Sequence, residues 1–335
     1  MSKILTIGSV SQDIFFPTDE GVIIDTPEDI LSQKKIAFEL GAKYHIVQRY
    51  ETLGGCSINV AAGLAKLGEE VACYTTVGGD AIGNWICQEL KNINVAIDDV
   101  VLEKGYASDL SAIIVDKRSA DRIIFSNQTA NQRLVFNPQK INVPEWIFIG
   151  DLSGEWQENV DKIISFSKQK DIKIAFNPRQ KTIHDDVQKI IETIAACDLF
   201  IVNKDEAIEI VSAAREEKNN DSINDEKYLI TELKNLGAKA VALTDGIRGA
   251  WGLDGVELLY VPALTHEDTV DSTGAGDAFT SGFIAARVKG KNLATALQWG
   301  IANSSNSIRE YGGQKGLLDE KGIVSMADNI KSESI

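Results

Sequence analysis

The feature that most constrains the fold of this chain is a regular alternation of short apolar strands with amphipathic helices. Strands are indicated by apolar runs that end in Gly, Asn or Asp, and helices by apolar residues spaced three or four apart. In the helix predicted at 58–68, Val60, Leu64 and Leu67 share one face and Gly68 supplies the stop. Such alternation predicts an α/β fold with a mainly parallel sheet covered on both faces.

The predicted elements follow in chain order. Strands are predicted at KILTIGS, EVACYTTVGGD, EWIFIGD, KIAFNPR, DLFIVNKDE and AVALTDG, and helices at INVAAGLAKLG, AIGNWICQELKNI, NVDKIISFSKQK, DVQKIIETIAA, residues 208–213, YLITELKNLG and AFTSGFIAARV.

Two strand-rich segments interrupt this alternation, at residues 14–52 and 105–133. Both contain alternating polar and apolar residues, as in SAIIVD and DRIIFSN, and we expect them to form a small separate β-layer. Residues 1–13, 53–104 and 134–330 then make up the main α/β domain. The charged stretch at 215–227 is predicted to be a solvated surface insertion.

Polar and small residues recur where the predicted strands end. Ligands of open parallel sheets bind beyond the carboxyl ends of the strands, so this edge is the candidate site. Turns also favour Gly, Asn and Asp, which would explain any one of these sequences, although not readily all six of them together. The six sequences are SVSQD with Asp13, LGGCSIN with Gly54, Gly55 and Asn59, NPR at 177–179, NKDE with Asn203 and Glu206, TDGIRG at 244–249, and DSTGAGD at 271–277.

The last of these, DSTGAGDAFTSGF, runs directly into a predicted helix that has Phe279 and Phe283 on one face. Gly274 and Gly276 let the backbone approach a ligand closely, and the free N–H groups of a first helical turn favour an anion. Asp277 fits two interpretations equally well: an ordinary helix-start carboxylate, or a base beside an anion site.

Charge and cysteine content exclude several classes of protein. With 34 basic and 49 acidic residues the formal net charge is −15, so nucleic acids and anionic membranes should be repelled. The four cysteines, Cys56, Cys73, Cys87 and Cys197, form no C-x-x-C pair and are expected to be buried free thiols. The N-terminus resembles a first strand more than a signal peptide, and no apolar run reaches the ~20 residues of a membrane span. We therefore expect a cytoplasmic protein.

Other nucleotide and hydrolase motifs are missing from the sequence. There is no G-x-x-x-x-G-K-[ST] loop, no G-x-G-x-x-G after the first strand and no G-x-S-x-G elbow. The three histidines, His45, His184 and His266, have no ligand-like spacing and are predicted to be surface or packing residues.

Two motifs carry a resemblance to a known family. GGCSINVAAGLAKLG, followed by VGGDAIG at 77–83, and DSTGAGDAFTSGF stand about two hundred residues apart. With them the chain resembles the ribokinase-like (PfkB) family of carbohydrate and nucleoside kinases, from IGSVSQD to about Gly316. The resemblance implies a three-layer sandwich with a mainly parallel central sheet, and a small β-sheet lid formed by the two strand-rich segments.

The resemblance also implies roles for individual residues. Asp277 matches the catalytic base, the backbone of Gly274, Ala275 and Gly276 matches the anion hole, and Asp13, Gly54, Gly55 and Asn59 match substrate-binding positions. Asn203, Glu206, Thr244, Gly246, Gly249 and Asn303 match nucleotide-binding positions, with Glu206 near Mg²⁺ through water and Asn303 on a helix that borders the base. Asp271 and Thr273 match a monovalent cation site, which suggests K⁺.

The implied activity is Mg²⁺-dependent transfer of the γ-phosphoryl group of ATP to a hydroxyl of a pentose or hexose. Such transfer needs positioning and charge stabilisation more than a basic surface, which suits an acidic chain. A nucleoside is the alternative acceptor, which an aromatic lid residue such as Phe15, Phe16 or Phe125 would favour. A binding protein that has lost catalysis is a further alternative, against which the intact GAGD argues. The apolar lid strands need burial, and a homodimer through the lid would provide it.

Overall fold

The computed structural model describes residues 3–26, 34–119, 121–215, 221–264 and 269–335. His266 and part of the charged stretch, 216–220, lie outside these residues. The strands are β1 Ile4–Ile7, β2 Ser11–Thr18, β3 Val22–Asp25, β4 Lys34–Ala37, β5 Tyr50–Gly54, β6 Val71–Tyr74, β7 Thr76–Gly78, β8 Val95–Ala96, β9 Val101–Glu103, β10 Leu110–Asp116, β11 Arg122–Asn127, β12 Trp146–Ile149, β13 Lys173–Phe176, β14 Leu199–Asn203, β15 Ala240–Thr244, β16 Ala250–Asp254, β17 Glu257–Val261 and β18 Glu333–Ser334.

The helices share the two faces of the sheet that these strands form. They are α1 Cys56–Lys66, α2 Ala81–Asn92, α3 Trp156–Lys170, α4 Gln180–Asp185, α5 Val187–Ile194, α6 Lys204–Arg215, α7 Glu226–Asn235, α8 Ala275–Val288, α9 Leu293–Ser307 and α10 Glu320–Ala327.

The central sheet has the strand order β18-β17-β16-β15-β14-β13-β12-β1-β6-β8. From β8 to β15 every neighbouring pair is parallel, whereas β16, β17 and β18 are antiparallel additions at one edge. Side chains of β1 alternate between two apolar clusters, Ile4 on one face and Leu5 and Ile7 on the other. Because both faces are buried beneath helices, the predicted three-layer α/β fold is confirmed.

A second, four-stranded sheet has the order β11-β10-β2-β5, and we call it the small sheet. It consists of strands from the two predicted strand-rich segments. The predicted boundaries after residues 13 and 52 fall inside β2 and β5, which belong wholly to the small sheet. Its apolar inner side is formed by Phe15, Ile113 and Val115.

Helix α8 is held against α1 and α9. A Cβ at Gly63 of α1 would lie 2.1 Å from Ser281 Oγ of α8, so only glycine allows the two helices to approach this closely. This packing brings the start of α8 to the same edge of the sheet as the loop before α1.

Some elements differ from the sequence-based predictions. Helices α4 and α10 and the antiparallel strands β16–β18 were not predicted, α9 was expected only from the resemblance, and the EVACYTTVGGD strand divides into β6 and β7. The predicted surface insertion is only partly a loop, because Asp221–Asn224 forms a 3-10 turn and α7 begins at Glu226. All four cysteines are free, and three of them are buried. Within the described ranges, no helix is both long and apolar enough to cross a membrane.

Candidate active site

Two adjoining cavities lie at the carboxyl edge of the parallel strands. The larger cavity, about 500 Å³, lies beneath the small sheet, and the smaller cavity, about 210 Å³, lies beside the start of α8. Arg179 and Glu206 line both, so the cavities meet at these two residues. A ligand in one cavity can therefore reach a ligand in the other.

Asp277 lies in the first turn of α8 and lines the smaller cavity. Its carboxylate is buried and held at both oxygens: Asn59 Nδ2 donates to Oδ2 at 2.8 Å, and Arg179 Nη2 lies 3.7 Å from Oδ1. Gln314 Nε2 in turn donates to Asn59 Oδ1 at 3.1 Å, which fixes the orientation of the Asn59 amide. The carboxylate is thus oriented towards the junction of the cavities.

The start of α8 forms one wall of the smaller cavity, with Gly274, Ala275 and Gly276. Gly274 is the N-cap residue and has a φ of 75°, a left-handed conformation that favours glycine. The first N–H groups of a helix lack intrahelical acceptors, and the helix dipole favours negative charge there. This wall is therefore suited to bind an anion.

Residues of the nucleotide-binding prediction lie at the strand ends beside this wall. Asn203, Glu206 and Thr244 line the smaller cavity, at the ends of the adjacent strands β14 and β15 and the start of α6. Asn203 and Glu206 bind each other: the Asn203 N–H donates to Glu206 Oε2 at 3.2 Å, and the Glu206 N–H donates to Asn203 Oδ1 at 2.9 Å. Burial raises the pKa of Glu206 to about 7, because desolvation disfavours its charged form.

Asp13 and Gly55 line the larger cavity. Ser11 Oγ donates to Asp13 Oδ1 at 2.7 Å, and burial raises the pKa of the Asp13 carboxyl group. Gly54 does not line the cavity, but a Cβ there would lie 2.2 Å from Asp13 Oδ2, so its lack of a side chain makes room for this carboxylate. The chain thus presents a partly buried acid to any ligand in the larger cavity.

Gly246, Gly249 and Asn303 line neither cavity. Gly246 and Gly249 border the 3-10 turn after β15. Asn303 is buried on α9, and its amide is already engaged: Nδ2 donates to Ala278 O and Ser281 Oγ, and Oδ1 accepts from the Leu318 N–H. Its observed contacts join α9 to α8 and to the segment before α10.

Asp271 is buried beside the anion-binding wall. Its Oδ1 accepts from the Thr273 N–H at 2.9 Å and from Thr273 Oγ1 at 2.6 Å, and its Oδ2 accepts from the Gly312 N–H at 3.0 Å. Arg122 of the small sheet lies 3.8 Å from Asp271 Oδ1 and donates to Ser272 Oγ at 3.2 Å. The Asp271 carboxylate of the predicted monovalent cation site therefore has a cation of the protein beside it.

Sequence reasoning assigned no role to Arg179, Lys181 or Asp151, which all line the larger cavity. Asp151 lies two residues after β12, and its Oδ2 accepts from Ser9 Oγ at 3.1 Å. An acid so close to the end of a buried strand was a usable signal. Arg179 ends the strand-end sequence NPR, which placed it at the candidate edge, but its position between the cavities depends on how β13 and α4 pack and could not be predicted.

Comparison with solved structures supports the fold. The structure of Arabidopsis thaliana ribokinase complexed with ribose and ATP has a TM-score of 0.76 and 17% identity, and the match covers 97% of this chain and 98% of that one. The fold is thus that of the ribokinase-like kinases. The model of the family described as "pfkB family carbohydrate kinase" matches residues 30–320, and the chain belongs to that family.

Two relatives of known name match this chain over most of their own length. An ATP-dependent 6-phosphofructokinase of Thermoanaerobacterium thermosaccharolyticum is 26% identical over 92% of this chain and 97% of its own length. A cytidine kinase of Thermococcus kodakarensis is 26% identical over 77% of this chain and 88% of its own. The chain is accordingly an ATP-dependent carbohydrate kinase, and its relatives include both sugar and nucleoside kinases.

Proposed function

We propose that this kinase phosphorylates a hydroxyl of a small sugar, a pentose or hexose, bound in the larger cavity. The observation that carries the proposal is the position of Asp277, a buried carboxylate beside an anion-binding helix start, where that cavity meets the smaller one. A hydroxyl in the larger cavity and a phosphate in the smaller one would meet at this carboxylate. This is the geometry that in-line phosphoryl transfer needs.

The proposed roles follow from these positions. Asp277 accepts the proton of the attacking hydroxyl as general base, and Asn59 holds it in place. The backbone of Gly274, Ala275 and Gly276 stabilises the charge on the transferred group. Asp13 and the backbone at Gly54 and Gly55 bind the other hydroxyls of the sugar.

ATP is the co-substrate, and we assign its phosphates to the smaller cavity beside Asn203, Glu206 and Thr244. Gly246, Gly249 and the α9 helix that carries Asn303 would border the rest of the nucleotide. Mg²⁺ suits this site, because it keeps several waters and binds few carboxylates, and the described residues contain no cluster of three or more His, Cys, Asp or Glu side chains. Glu206 would hold the ion through water, and the ion would neutralise phosphate charge.

The small sheet is proposed to act as a lid, with residues 14–52 and 105–133 as a separate unit from the kinase domain. It covers the larger cavity with Ser111, Ile113 and Ile124, so its closure would exclude water that competes as phosphoryl acceptor. We further propose a homodimer through this sheet and a cytoplasmic location, which suits four free thiols.

A sugar is favoured over a nucleoside because no aromatic ring of the described residues lines the larger cavity. Phe15 is buried in the small sheet, and Phe125 is exposed outside the cavity. A base normally stacks on an aromatic side chain, whereas sugar hydroxyls need polar groups such as those present. The nucleoside alternative is retained because a cytidine kinase is among the relatives.

The test is a panel of pentoses, hexoses, their phosphates and nucleosides, each with ATP and Mg²⁺, with ADP release as the measurement. Highest kcat/KM on a sugar or sugar phosphate is the expected result. Preference for a nucleoside would replace the sugar proposal by its alternative. No turnover on any acceptor, with nucleotide and acceptor binding intact, would refute catalysis.

Replacing Asp277 tests the assignment of the base. Asp277→Asn should lower kcat roughly 10²-fold or more while acceptor binding survives, because the amide accepts no proton. Asp13→Asn is the matched control: it should weaken acceptor binding and change kcat much less, because Asp13 lies in the larger cavity away from α8. Unchanged kcat in Asp277→Asn, measured by ADP release, would remove Asp277 from this role.

A further inference from the structure

Arg179 lies three residues after β13 and immediately before α4, where the two cavities meet. It lines both cavities, and its side chain is 42% exposed. A group transferred between the two cavities would therefore come close to this guanidinium group. Glu206 also lines both cavities, but it is an acid and cannot compensate the negative charge of such a group.

The guanidinium group of Arg179 has no hydrogen-bond acceptor among the described residues. Its nearest acid is Asp277, whose Oδ1 lies 3.7 Å from Nη2, beyond hydrogen-bond distance. Its Nε is buried and has no hydrogen-bond partner. A buried donor without a partner is unfavourable, and a planar guanidinium fork matches the oxygens of a phosphate. These features indicate that an anion is the natural partner of Arg179.

Holding Asp277 in place does not explain the arrangement. Asn59 already donates to Asp277 Oδ2 at 2.8 Å and is itself fixed by Gln314. Other groups around Arg179 are Asp151, Glu206 and the Cys56 thiol, and all of them line the larger cavity. None of them accepts a hydrogen bond from its guanidinium group.

We propose that Arg179 is a catalytic residue that binds the oxygens of the phosphoryl group during its transfer from ATP to the acceptor. The inference rests on the proposed function. In the step, the acceptor oxygen forms a bond to the γ-phosphorus and its proton passes to Asp277. The bond between the γ-phosphorus and the β–γ bridging oxygen breaks, and ADP leaves with the electron pair. Arg179 keeps its proton and stabilises the charge on the peripheral oxygens.

Lys181 provides a matched control, because it is a cation two residues further along that lines only the larger cavity. Arg179→Met should lower kcat by about 10²–10³-fold, the usual effect of removing one group that stabilises the transition state, with the acceptor KM nearly unchanged. Lys181→Met should lower kcat far less than Arg179→Met does, and its main effect should be on the acceptor KM, because Lys181 lines the acceptor cavity. Arg179→Lys should retain part of kcat, and added guanidinium should partly restore Arg179→Ala.

Equal kcat in Arg179→Met and wild type would overturn the inference, as would a rise in acceptor KM with unchanged kcat. Far-UV circular dichroism and the melting temperature of each variant establish that it is folded. Arg179→Lys keeps the charge and serves in place of Arg179→Met if the latter does not fold.

A binding measurement separates this inference from the proposed function. Titration calorimetry of ADP, Mg²⁺ and aluminium fluoride, an analogue of the phosphoryl group in transfer, needs no turnover. Arg179→Met should bind this combination about 100-fold more weakly than wild type while binding ADP alone equally well. Equal binding of the analogue by both proteins would overturn the role of Arg179. Weaker binding of the analogue by the variant would support the role of Arg179. That conclusion would hold even if the wild-type protein phosphorylated no acceptor in the panel, because the absence of turnover would refute only the proposed function.

Discussion

Glu206 shows how burial changes the chemistry of a single carboxyl group. Desolvation raises its pKa from 4.5 to about 7, although the Asn203 N–H donates to it and Arg179 lies nearby. At neutral pH the protein without ligand therefore contains a mixture of protonated and ionised Glu206. Bound Mg²⁺ would favour the ionised form and couple metal binding to proton release.

The raised pKa predicts a pH-dependent stability. The folded protein holds the Glu206 proton more tightly than the unfolded chain, so the stabilisation is present below pH 4.5 and is lost as pH rises to about 7. Glu206→Gln should remove this loss, which amounts to at most about 3 kcal/mol. Urea unfolding of both proteins from pH 4.5 to 8, without nucleotide, measures it. Parallel profiles for wild type and variant would contradict the prediction.

Some residues of the candidate site could be predicted from the sequence, and others could not. Asp277 could be singled out because glycines and a helix signal surround it, but its contact with Asn59, 218 positions away, depends on the packing of α1 against α8. Asp151 also carries a signal, because it is an acid two residues after a buried strand. Arg179 lies at a strand end that was singled out, NPR, but its place between the two cavities depends on the packing of the short helix α4, which was not predicted.

At the scale of elements, the start of α8 combines two glycines with different requirements. Gly274 has a φ of 75°, and a Cβ there would lie 2.6 Å from Gly313 Cα. Gly276 is helical, and a Cβ there would meet no atom within 4 Å because it would point into open space beside the smaller cavity. The first glycine is needed for the fold and the second for the ligand.

A pair of alanine substitutions should separate these requirements. Gly274→Ala should destabilise the protein by about 2 kcal/mol or more, since left-handed backbone disfavours a side chain and the methyl group would clash. Gly276→Ala should keep the melting temperature but lower kcat/KM for ATP by about tenfold or more, because the methyl group occupies space beside the anion-binding backbone. Thermal unfolding and ADP-release kinetics measure the two effects. A melting temperature lowered equally in both variants would show that the distinction is wrong.

Strand β11 contributes a second feature at this scale, the contact of Arg122 with Asp271 and Ser272. Because a cation already lies beside the Asp271 carboxylate, wild-type turnover should change little when K⁺ is replaced by tetramethylammonium. Arg122→Met removes this cation and should make turnover respond to K⁺ at the predicted Asp271–Thr273 position. Strong K⁺ activation of the wild type would show instead that Arg122 and the ion act together there.

The elements that the sequence pattern did not predict were missed for different physical reasons. Helix α9 is buried on most of its surface, against α8, α10 and the sheet, so it shows no single apolar stripe. The β16–β17 hairpin contains Asp254-Gly255, a recognised turn signal, and could have been predicted. Strand β18 has only two residues, fewer than any periodicity can reveal.

At the scale of the whole molecule, fold class was predictable because many weak signals agree. Each strand of the parallel sheet is an apolar run, and a helix follows most of them, so one error does not alter the class. The acidic charge of −15 agrees with a site that uses backbone N–H groups and single cations. The proposed homodimer is less predictable, because it would depend on the surface of one edge strand.

That edge strand is β11, the outer strand of the small sheet. Ile124 and Phe125 on it are 49% and 61% exposed, and an uncovered apolar edge strand favours pairing with another chain. Phe125→Lys should therefore shift the proposed homodimer to monomer, as measured by sedimentation equilibrium. Val256→Lys is the control, because Val256 is fully exposed at the β16–β17 turn and should leave the dimer intact. A wild-type protein that sediments as a monomer at every concentration would contradict the dimer, and the edge of β11 would then be covered in some other way.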